Sequence, residues 1–387
     1  MSLPSQRSRP PRHLADLALA QRRAWMVEQG EPAMRANQLS NHYFGRLTRD
    51  PDQMSDLPKL TRNDLAATYL PELLTQLQQQ RGDQGNTIKT LYQLTGGATL
   101  ETVLMSYPDR VTVCVSSQAG CGIGCPFCAT GRLGLIRNLS AAEIVEQVRL
   151  AAAATRHGAL AQQTEPAVPN DSTGIGHDSA EATQRLSNVV FMGMGEPLAN
   201  YNALVTAIRA ISQPPPDGFG ISVRHLTVST AGIVPQIDKL AGEGLPLRLA
   251  VSLHAPDDQA RNRLVPLSKR YPVDQLLDAA YAYHKAVGRP VSIEYALIKQ
   301  INDQLWRANL LAEKLEQRGT GWARVNLIGL NHVPGSPWTA SPSSAMDRFV
   351  ERLRQFGIVT TIRDSRGADI DGACGQLAAR GVELRAR

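Results

Sequence analysis

The sequence predicts an α/β fold in which a β/α barrel, open or closed, follows a small helical module and a β-meander. From residue 111 onward, apolar strand-like runs alternate with helical patterns, which indicates a parallel sheet covered by helices. Unusual polar or glycine-rich motifs stand just after most of these runs, and in β/α barrels such loops converge on one mouth. A doubly wound sheet is the second choice for the same elements.

The elements follow one another in a regular order. The strand-like runs cover residues 111–116, 188–193, 224–229, 247–253, 291–298, 323–330 and 357–362. Helical patterns fill most of the gaps, at residues 140–154, 200–212, 232–242, 273–287, 303–317 and 343–356. We assign residues 111–378 to the barrel and residues 379–387 to a C-terminal tail.

Residues 1–75 are predicted to form a helical accessory domain, with helical spacing at 11–30 and 35–47. Basic side chains outnumber acidic ones up to position 50, so this domain could neutralise RNA phosphates. A solvated helical cap explains the same charges equally well, and Trp25, Tyr43 and Phe44 are expected in the core. The basic residues are Arg7, Arg9, Arg12, Arg22, Arg23, Arg35, Arg46 and Arg49.

Residues 76–110 are predicted to form a β-extension that continues into the first barrel strand. Three apolar or alternating segments lie between 87 and 116 and are punctuated by Gly96, Gly97 and Pro108. Glu101 stands near the start of the second segment and Cys114 within the third. Taken alone, they are a strand-edge carboxylate and a small buried apolar residue.

Residues 155–186 interrupt the alternation. They are rich in Ala, Gln, Thr, Ser, Gly and Asp, a composition that cannot bury enough apolar surface to order itself. We therefore predict a flexible insertion between the first helix and the second strand, with His157 and His177 in solvent.

Composition excludes several classes of protein. No apolar run is long enough to cross a bilayer, and the Arg- and Pro-rich N-terminus lacks the apolar core of a secretion signal. Five cysteines in 387 residues do not make a disulfide framework, so a reducing cytoplasm suits them. The net charge of +6 permits an anionic partner such as RNA without requiring one.

A cysteine-rich loop is the centre of the predicted chemistry. Cys121, Cys125 and Cys128 form a C-x3-C-x2-C pattern. A structural zinc takes four ligands, usually as two C-x2-C pairs, and no fourth cysteine follows nearby. A cubane iron–sulfur cluster takes one thiolate per iron, so three thiolates leave one iron open to a small ligand. The spacing favours such a cluster, and a zinc site completed by a distant histidine is the alternative.

The loops after the other strand-like runs carry candidate ligand-binding groups. Each has a structural explanation as well: a tight turn for the glycines, an N-terminal helix charge for the glutamate, caps for the serines, and loop closure for the histidine and asparagine. Together they fit an amino acid fused to a nucleoside. The candidates are Gly193, Gly195, Glu196, Ser229, Ser252, His254 and Asn331.

Cys374 stands apart in a glycine-flanked loop. Flexible flanks suit a reactive thiol, and Arg363 and Arg366 upstream could lower its pKa or bind phosphate. An incidental thiol is the structural alternative.

Long stretches of the chain resemble one known family. The C-x3-C-x2-C loop with Phe127 before the last cysteine resembles the cluster loop of the radical S-adenosylmethionine enzymes. Between about residue 30 and 378, apart from the insertion, the chain is similar to the RlmN/Cfr family of RNA methyltransferases. The similar segments are CVSSQAGCGIGCPFCATG, FMGMGEPLANY, VSTAGIVPQIDKL, LAVSLHAPDDQARNRLVPL and RGADIDGACGQLA.

The resemblance implies a partial (βα)6-type radical-SAM barrel and two cofactors. Cys121, Cys125 and Cys128 would hold a [4Fe–4S] cluster, whose open iron binds S-adenosylmethionine. The implied contacts of that cofactor, of which two molecules are used per turnover, are Gly195, Glu196, Ser229, Ser252, Leu253, His254 and Asn331.

The resemblance also implies three catalytic residues. Cys374 would take a methyl group from one cofactor molecule, and a radical from a second molecule would then activate that methyl. Cys114 would form a transient disulfide with Cys374 and release the product. Glu101 is the usual proton acceptor, although the sequence leaves open whether Glu101 or Cys114 removes the proton.

The implied substrates are 23S ribosomal RNA and transfer RNA, methylated at C2 of an adenine. The implied setting is a cytoplasmic monomer that takes electrons from a donor such as flavodoxin or ferredoxin. Catalytic motifs do not separate C2 methylation from the C8 methylation of Cfr-type enzymes. A zinc-stabilised RNA-binding protein without catalysis is the alternative from another class, and it gives Cys114 and Cys374 no role.

Overall fold

The computed structural model describes residues 8–161, 184–333, 335–363 and 366–377. The strands are β1 (Leu74–Gly82), β2 (Thr87–Leu94), β3 (Thr99–Tyr107), β4 (Arg110–Cys114), β5 (Gln118–Gly120), β6 (Leu135–Asn138), β7 (Leu186–Phe191), β8 (Leu226–Thr230), β9 (Arg248–Ser252), β10 (Val291–Leu297), β11 (Ala323–Gly329) and β12 (Thr360–Arg363). The α-helices are α1 (Leu19–Glu28), α2 (Met34–Ser40), α3 (Arg62–Tyr69), α4 (Ala129–Leu133), α5 (Ala141–Arg156), α6 (Tyr201–Ser212), α7 (Val234–Ala241), α8 (Asp258–Leu264), α9 (Val273–Val287), α10 (Leu305–Glu316) and α11 (Ser343–Gln355).

One 10-stranded sheet organises the molecule, in the order β1-β2-β3-β4-β7-β8-β9-β10-β11-β12. Strands β1 to β4 pair antiparallel, and β4 then pairs parallel with β7 and so on to β12. The strand order follows the chain without the reversal that defines a doubly wound sheet. Strands β1 and β12 are the two edges, so the sheet is an open barrel, and the predicted α/β fold with a partial barrel is confirmed.

The predicted barrel strands and helices all form, with ends shifted by a few residues. Six of the described strands and α-helices were not predicted individually: the edge strand β1, the hairpin strands β5 and β6, and the short helices α3, α4 and α8. At the N-terminus the helix predicted from residue 11 begins only at Leu19, after a 3-10 turn at Leu14–Asp16. The helix α2 continues as a π-helical turn at Asn41–Gly45.

The N-terminal helices pack on the barrel and share its hydrophobic core. Trp25, Tyr43 and Phe44 are buried, as predicted, and the Tyr43 hydroxyl donates to Glu146 on α5 at 2.7 Å. Arg22 does not belong to any RNA-facing surface. It is buried, and its guanidinium donates to Leu14 O, Leu17 O, Ser40 Oγ, Pro216 O and Asp217 O.

The predicted insertion at 155–186 is part of the ordered fold at both ends. Helix α5 runs on to Arg156, Leu160 is buried in the core, and β7 begins at Leu186. His157 is exposed, as expected. Residues 162–183, with His177, lie outside the described residues, as does the whole tail at 379–387.

None of the described helices has the length and apolar character needed to cross a membrane.

Candidate active site

The cysteine loop lies at the barrel mouth, between the hairpin strands β5 and β6. Gly120 is required there, because a Cβ at its φ of 74° would lie 1.9 Å from the Gly134 carbonyl oxygen. Cys128 precedes α4, whose Gly131 packs against the backbone of Cys125: a Cβ on Gly131 would meet Cys125 O at 2.7 Å. The sequence folds this way because glycine permits both the turn and the close approach.

The three loop thiols share one cavity and disfavour one another's ionisation. Burial raises the pKa of Cys121 to about 11. Burial and the nearby Cys128 and Cys121 raise the pKa of Cys125, and burial raises that of Cys128. Positive charge from bound iron would stabilise the thiolates, which are the ligand form of cysteine. In the described part of the chain, no three His, Cys, Asp or Glu side chains converge as ligands of a single metal ion. Three thiols on one loop are a donor set that a polynuclear iron–sulfur cluster takes, with one thiolate on each of three irons.

This cavity, which we call the cofactor cavity, collects residues from nearly every strand-end loop. These residues are separated by up to more than two hundred positions in the sequence. The parallel strands bring them together because the carboxyl ends of the strands lie at one edge of the sheet. The Ser229 and Ser252 hydroxyls lie 3.3 Å apart on its wall. The predicted residues that line it are Cys121, Cys125, Cys128, Gly193, Gly195, Glu196, Ser229, Ser252, His254, Asn331, Arg363 and Cys374.

The loop after β7 packs tightly against the segment that follows β4. A Cβ on Gly195, at φ 99°, would lie 2.5 Å from Gln118 Cβ, and one on Gly193 would lie 2.7 Å from Val115 O. Both glycines therefore permit close packing against the segment that follows β4. Glu196 is buried, and its oxygens accept from Leu198 N at 3.1 Å and Ala231 N at 2.7 Å. Burial raises the pKa of Glu196 to about 7.

His254 lies after β9 with its tautomer fixed by the backbone. Its φ is 61°, and Nδ1 accepts from Ala296 N at 3.0 Å. Burial lowers the pKa of His254 to about 3, so the ring is neutral and carries its proton on Nε2. The ring packs edge-on against Phe127 of the cysteine loop at 5.1 Å. Nδ1 thus closes the local loop, and Nε2–H is the donor that the ring has left for a ligand.

Arg261 is a positioning residue that sequence reasoning missed. It is buried on α8 and donates to Ala231 O at 2.7 Å, Leu253 O at 3.1 Å and Ser252 O at 3.4 Å. Ala231 and Leu253 open the loops after β8 and β9, and Ser252 is the last residue of β9, so one guanidinium ties together two loops at the cavity. Leu253 itself is buried behind the wall and does not line the cavity.

The C-terminal loop packs beside the cysteine loop and brings Cys374 to the cofactor cavity. Gly375 O accepts from Ala129 N at 2.7 Å, and Leu377 O accepts from Thr130 Oγ1 at 3.1 Å. Asn331 Nδ2 donates to the carbonyl of Cys374 at 3.0 Å. Asn331 therefore fixes the thiol loop as well as lining the cofactor cavity.

Cys114 and Cys374 line a second, smaller cavity, which we call the thiol cavity. Both are free thiols. Burial, with a smaller effect from nearby Cys374, raises the pKa of Cys114 to about 12, and the Arg363 guanidinium acts against that rise. Cys374 and Arg363 also line the cofactor cavity, so the two cavities adjoin at these side chains.

Glu101 lies on β3, next to the strand that carries Cys114. It is buried, and its Oε1 is 3.3 Å from Lys89 Nζ, which in turn donates to Asp371 O. Glu101 lines neither cavity, but β3 pairs Val103 with Cys114, and Glu101 lies two residues along the same face. It is therefore close to the thiol cavity and tied to the C-terminal loop.

Comparison with known proteins identifies the family. Residues 178–310 match the radical SAM superfamily. A Kocuria rhizophila protein named "Probable dual-specificity RNA methyltransferase RlmN" is 55% identical over 375 residues, spanning 97% of this chain and 94% of its own. A Salinispora tropica protein of the same name is 55% identical over 370 residues, spanning 96% of this chain and 94% of its own. This chain belongs to the RlmN family of radical SAM proteins.

A solved structure agrees with that assignment. A radical SAM methyltransferase from Sphaerobacter thermophilus superposes with a TM-score of 0.85 at 43% identity, covering 95% of this chain and 100% of that one. The radical SAM family implies a [4Fe–4S] cluster and S-adenosylmethionine, and the thiol donor set of the RlmN-family cavity fits the cluster.

Proposed function

We propose that this chain methylates C2 of one adenine in 23S ribosomal RNA and of an adenine in transfer RNA, through an S-methylcysteine at Cys374. The observation that carries the proposal is the thiol cavity: Cys374 faces the cofactor cavity on one side and Cys114 on the other. That arrangement suits a thiol that accepts a group from the cofactor and a second thiol that later displaces it. The names of the close relatives support RNA as the substrate.

The cofactors have a natural place in this proposal. Cys121, Cys125 and Cys128 would hold the [4Fe–4S] cluster, which would supply the electron for reductive cleavage of S-adenosylmethionine, and two molecules of S-adenosylmethionine would be used in each turnover. Ser229, Ser252 and the Nε2–H of His254 offer hydrogen bonds to that cofactor from one wall. The remaining proposed contacts are Gly195, Glu196 and Asn331. Leu253 does not line the cavity and supports its wall through backbone hydrogen bonds to Glu294 and Arg261.

The two thiols divide the covalent work. Cys374 attacks the sulfonium methyl as a thiolate, so that a sulfur–carbon bond forms as the old one breaks. After the carbon has joined C2, Cys114 attacks the Cys374 sulfur. A disulfide forms as the sulfur–carbon bond breaks, and the electron pair of that bond leaves with the carbon, which takes up a proton to become the methyl group. An external thiol or dithiol must reduce the disulfide before the next turnover.

One residue must also take the C2 proton. With a pKa of about 12, the Cys114 thiol is protonated at neutral pH and is a poor base. Glu101, a carboxylate beside Lys89 on the neighbouring strand, is the better candidate. Cys114 can still form the disulfide, because its thiol has to lose its proton only at that later step.

The proposal includes the setting of the enzyme. RNA is bound by exposed basic residues of the N-terminal helices and the target base is unstacked to reach the mouth. The protein acts in the cytoplasm as a monomer and receives electrons from a flavodoxin or ferredoxin.

The test is a nucleoside assay with anaerobically purified protein. Iron and sulfide are first measured, and RNA treated with protein, S-adenosylmethionine and a reductant is digested and analysed by mass spectrometry. We expect 2-methyladenosine, and Cys374→Ala should abolish it while leaving the iron content unchanged. Formation of 8-methyladenosine would give the Cfr-type activity instead, and zinc in place of iron with no methylated nucleoside would refute catalysis.

A further inference from the structure

Glu294 is a buried carboxylate that no predicted role uses. It is 4% exposed on β10, in register with Ser252 on β9, and its carbonyl accepts from Leu253 N at 3.0 Å. Oε1 accepts from Asn326 Nδ2 at 2.9 Å. Oε2 has no hydrogen-bond partner within the described ranges, although the side chain lines the cofactor cavity. Such an acceptor costs free energy when unpaired, so it is expected to find a donor when the cavity is filled.

Arg363 stands beside Glu294 and connects it with the thiols. Its Nη1 lies 3.9 Å from Glu294 Oε2, too far for a hydrogen bond but close enough for an ion pair. Arg363 lines the cofactor cavity together with Glu294 and Cys374, and it lines the thiol cavity together with Cys374 and Cys114. Arg363 therefore adjoins both the two thiols and a carboxylate oxygen that lacks a hydrogen bond.

We propose that Glu294 and Arg363 bind the Watson–Crick edge of the target adenine, an inference that rests on the proposed function. Arg363 donates to N1, and Glu294 Oε2 accepts from the N6 amino group. On an adenine ring, N1 is bonded to C2 and N6 follows next along the same edge. The order of thiol, guanidinium and carboxylate along the cavity thus matches the order C2, N1, N6, and the pair sets C2 against Cys374.

This pairing also selects the base. Guanine presents an oxygen at position 6 and an N1–H, so a carboxylate would face an acceptor and a guanidinium would face a donor. A site built around a buried hydrogen-bonding group rejects analogues that lack the matching atom, because the group is then left unpaired. The pair therefore discriminates adenine from guanine as well as orienting it.

The test compares the affinities of the native and variant proteins for two synthetic RNAs. One RNA carries adenosine at the methylated position, and the other carries purine riboside, which lacks the N6 amino group. We expect the native protein to bind the adenosine RNA roughly 10- to 100-fold more tightly, the value of one hydrogen bond to a buried charged group. In Glu294→Ala and in Glu294→Gln this ratio should fall to within about threefold of one. Thr112→Val is the matched control, because Thr112 also carries an unpaired buried oxygen in the barrel interior, and it should keep the native ratio.

A second readout separates this inference from the proposed function. Methylation of Cys374 needs no RNA, so Glu294→Gln should still gain the methyl group when given S-adenosylmethionine. An unchanged adenosine preference in both Glu294 variants would overturn the inference while leaving the proposed function standing. Loss of Cys374 methylation in Glu294→Gln would also overturn it, by assigning the carboxylate to a ribose hydroxyl of the cofactor. A native protein whose Cys374 is never methylated would refute the proposed function itself.

Discussion

Replacing Arg261 with methionine tests how the cofactor-facing loops are held. The side chain is buried and donates two short hydrogen bonds, to Ala231 O at 2.7 Å and Leu253 O at 3.1 Å. Two longer contacts, to Ser252 O and Tyr271 O, are 3.4 and 3.5 Å. They are too long to add much stability, and only the two short hydrogen bonds are counted below. Methionine preserves much of the buried volume but offers no donor.

The magnitude follows from the two short bonds. A hydrogen bond from a charged donor contributes about 1.5–3 kcal/mol, and removing the buried guanidinium recovers part of its own desolvation cost. We therefore expect the free energy of unfolding to fall by about 3–4 kcal/mol. With a urea slope of ~3 kcal/mol/M, the unfolding midpoint should drop by about 1 M.

Urea unfolding followed by circular dichroism measures this effect, with Arg263→Met as the matched control. Arg263 is exposed on the same helix, and a surface substitution of this kind changes stability by less than ~0.5 kcal/mol. The Arg261 variant should also bind S-adenosylmethionine more weakly, because the loops after β8 and β9 lose their common tie. Midpoints for the two variants within 0.3 M of each other, a margin set at roughly 1 kcal/mol, would show that Arg261 does not hold these loops together.

Three further outcomes follow from the structure. Burial lowers the pKa of His13 to about 3, so between pH 6.5 and 3 the unfolded chain holds a proton that the folded chain lacks. The free energy of unfolding therefore decreases as pH falls below 6.5, by about 2 kcal/mol at pH 5. His13→Asn keeps an acceptor for Ala15 N, so its urea midpoint should decrease less than that of the native protein between pH 7.5 and pH 5. An equal decrease in both proteins would contradict this. Gly195→Ala places a Cβ 2.5 Å from Gln118 Cβ and should lower the free energy of unfolding, measured in urea, by roughly 3 kcal/mol. A loss as small as that for a glycine-to-alanine change in an open turn would show that Gly195 is not tightly packed. Cys114→Ala should stall with RNA covalently attached to the protein, visible as a shifted band on a denaturing gel, and normal turnover would make Cys114 structural.

Much of the barrel was predictable because parallel strands covered on both faces appear as continuous apolar runs. Strand β1 was not, since it is an exposed edge whose Gln-rich sequence shows neither an apolar run nor alternation. The hairpin of β5 and β6 was missed for a related reason: its strands are three and four residues long. Elements this short leave no periodicity to detect.

The sequence predicts the site residues that belong to a recognisable motif. It does not predict the residues whose role depends on how the chain packs. The cysteine loop and the strand-end residues stand out by type and position. Arg22 and Arg261 look like ordinary surface arginines, because their burial depends on carbonyls from loops distant in sequence. Glu294 did leave a signal, a single carboxylate inside the apolar run VSIEYALI, since a charge in a fully buried strand is expected to have a partner or a role.

The most direct test of the account is the mass of the Cys374 peptide from protein purified anaerobically with S-adenosylmethionine available. We expect a peptide heavier by one methyl group in place of a hydrogen, and the same peptide unmodified in protein whose proposed cluster ligand Cys125 is changed to alanine. An unmodified Cys374 in native protein that contains iron and has been given the cofactor would contradict the central role of the thiol cavity.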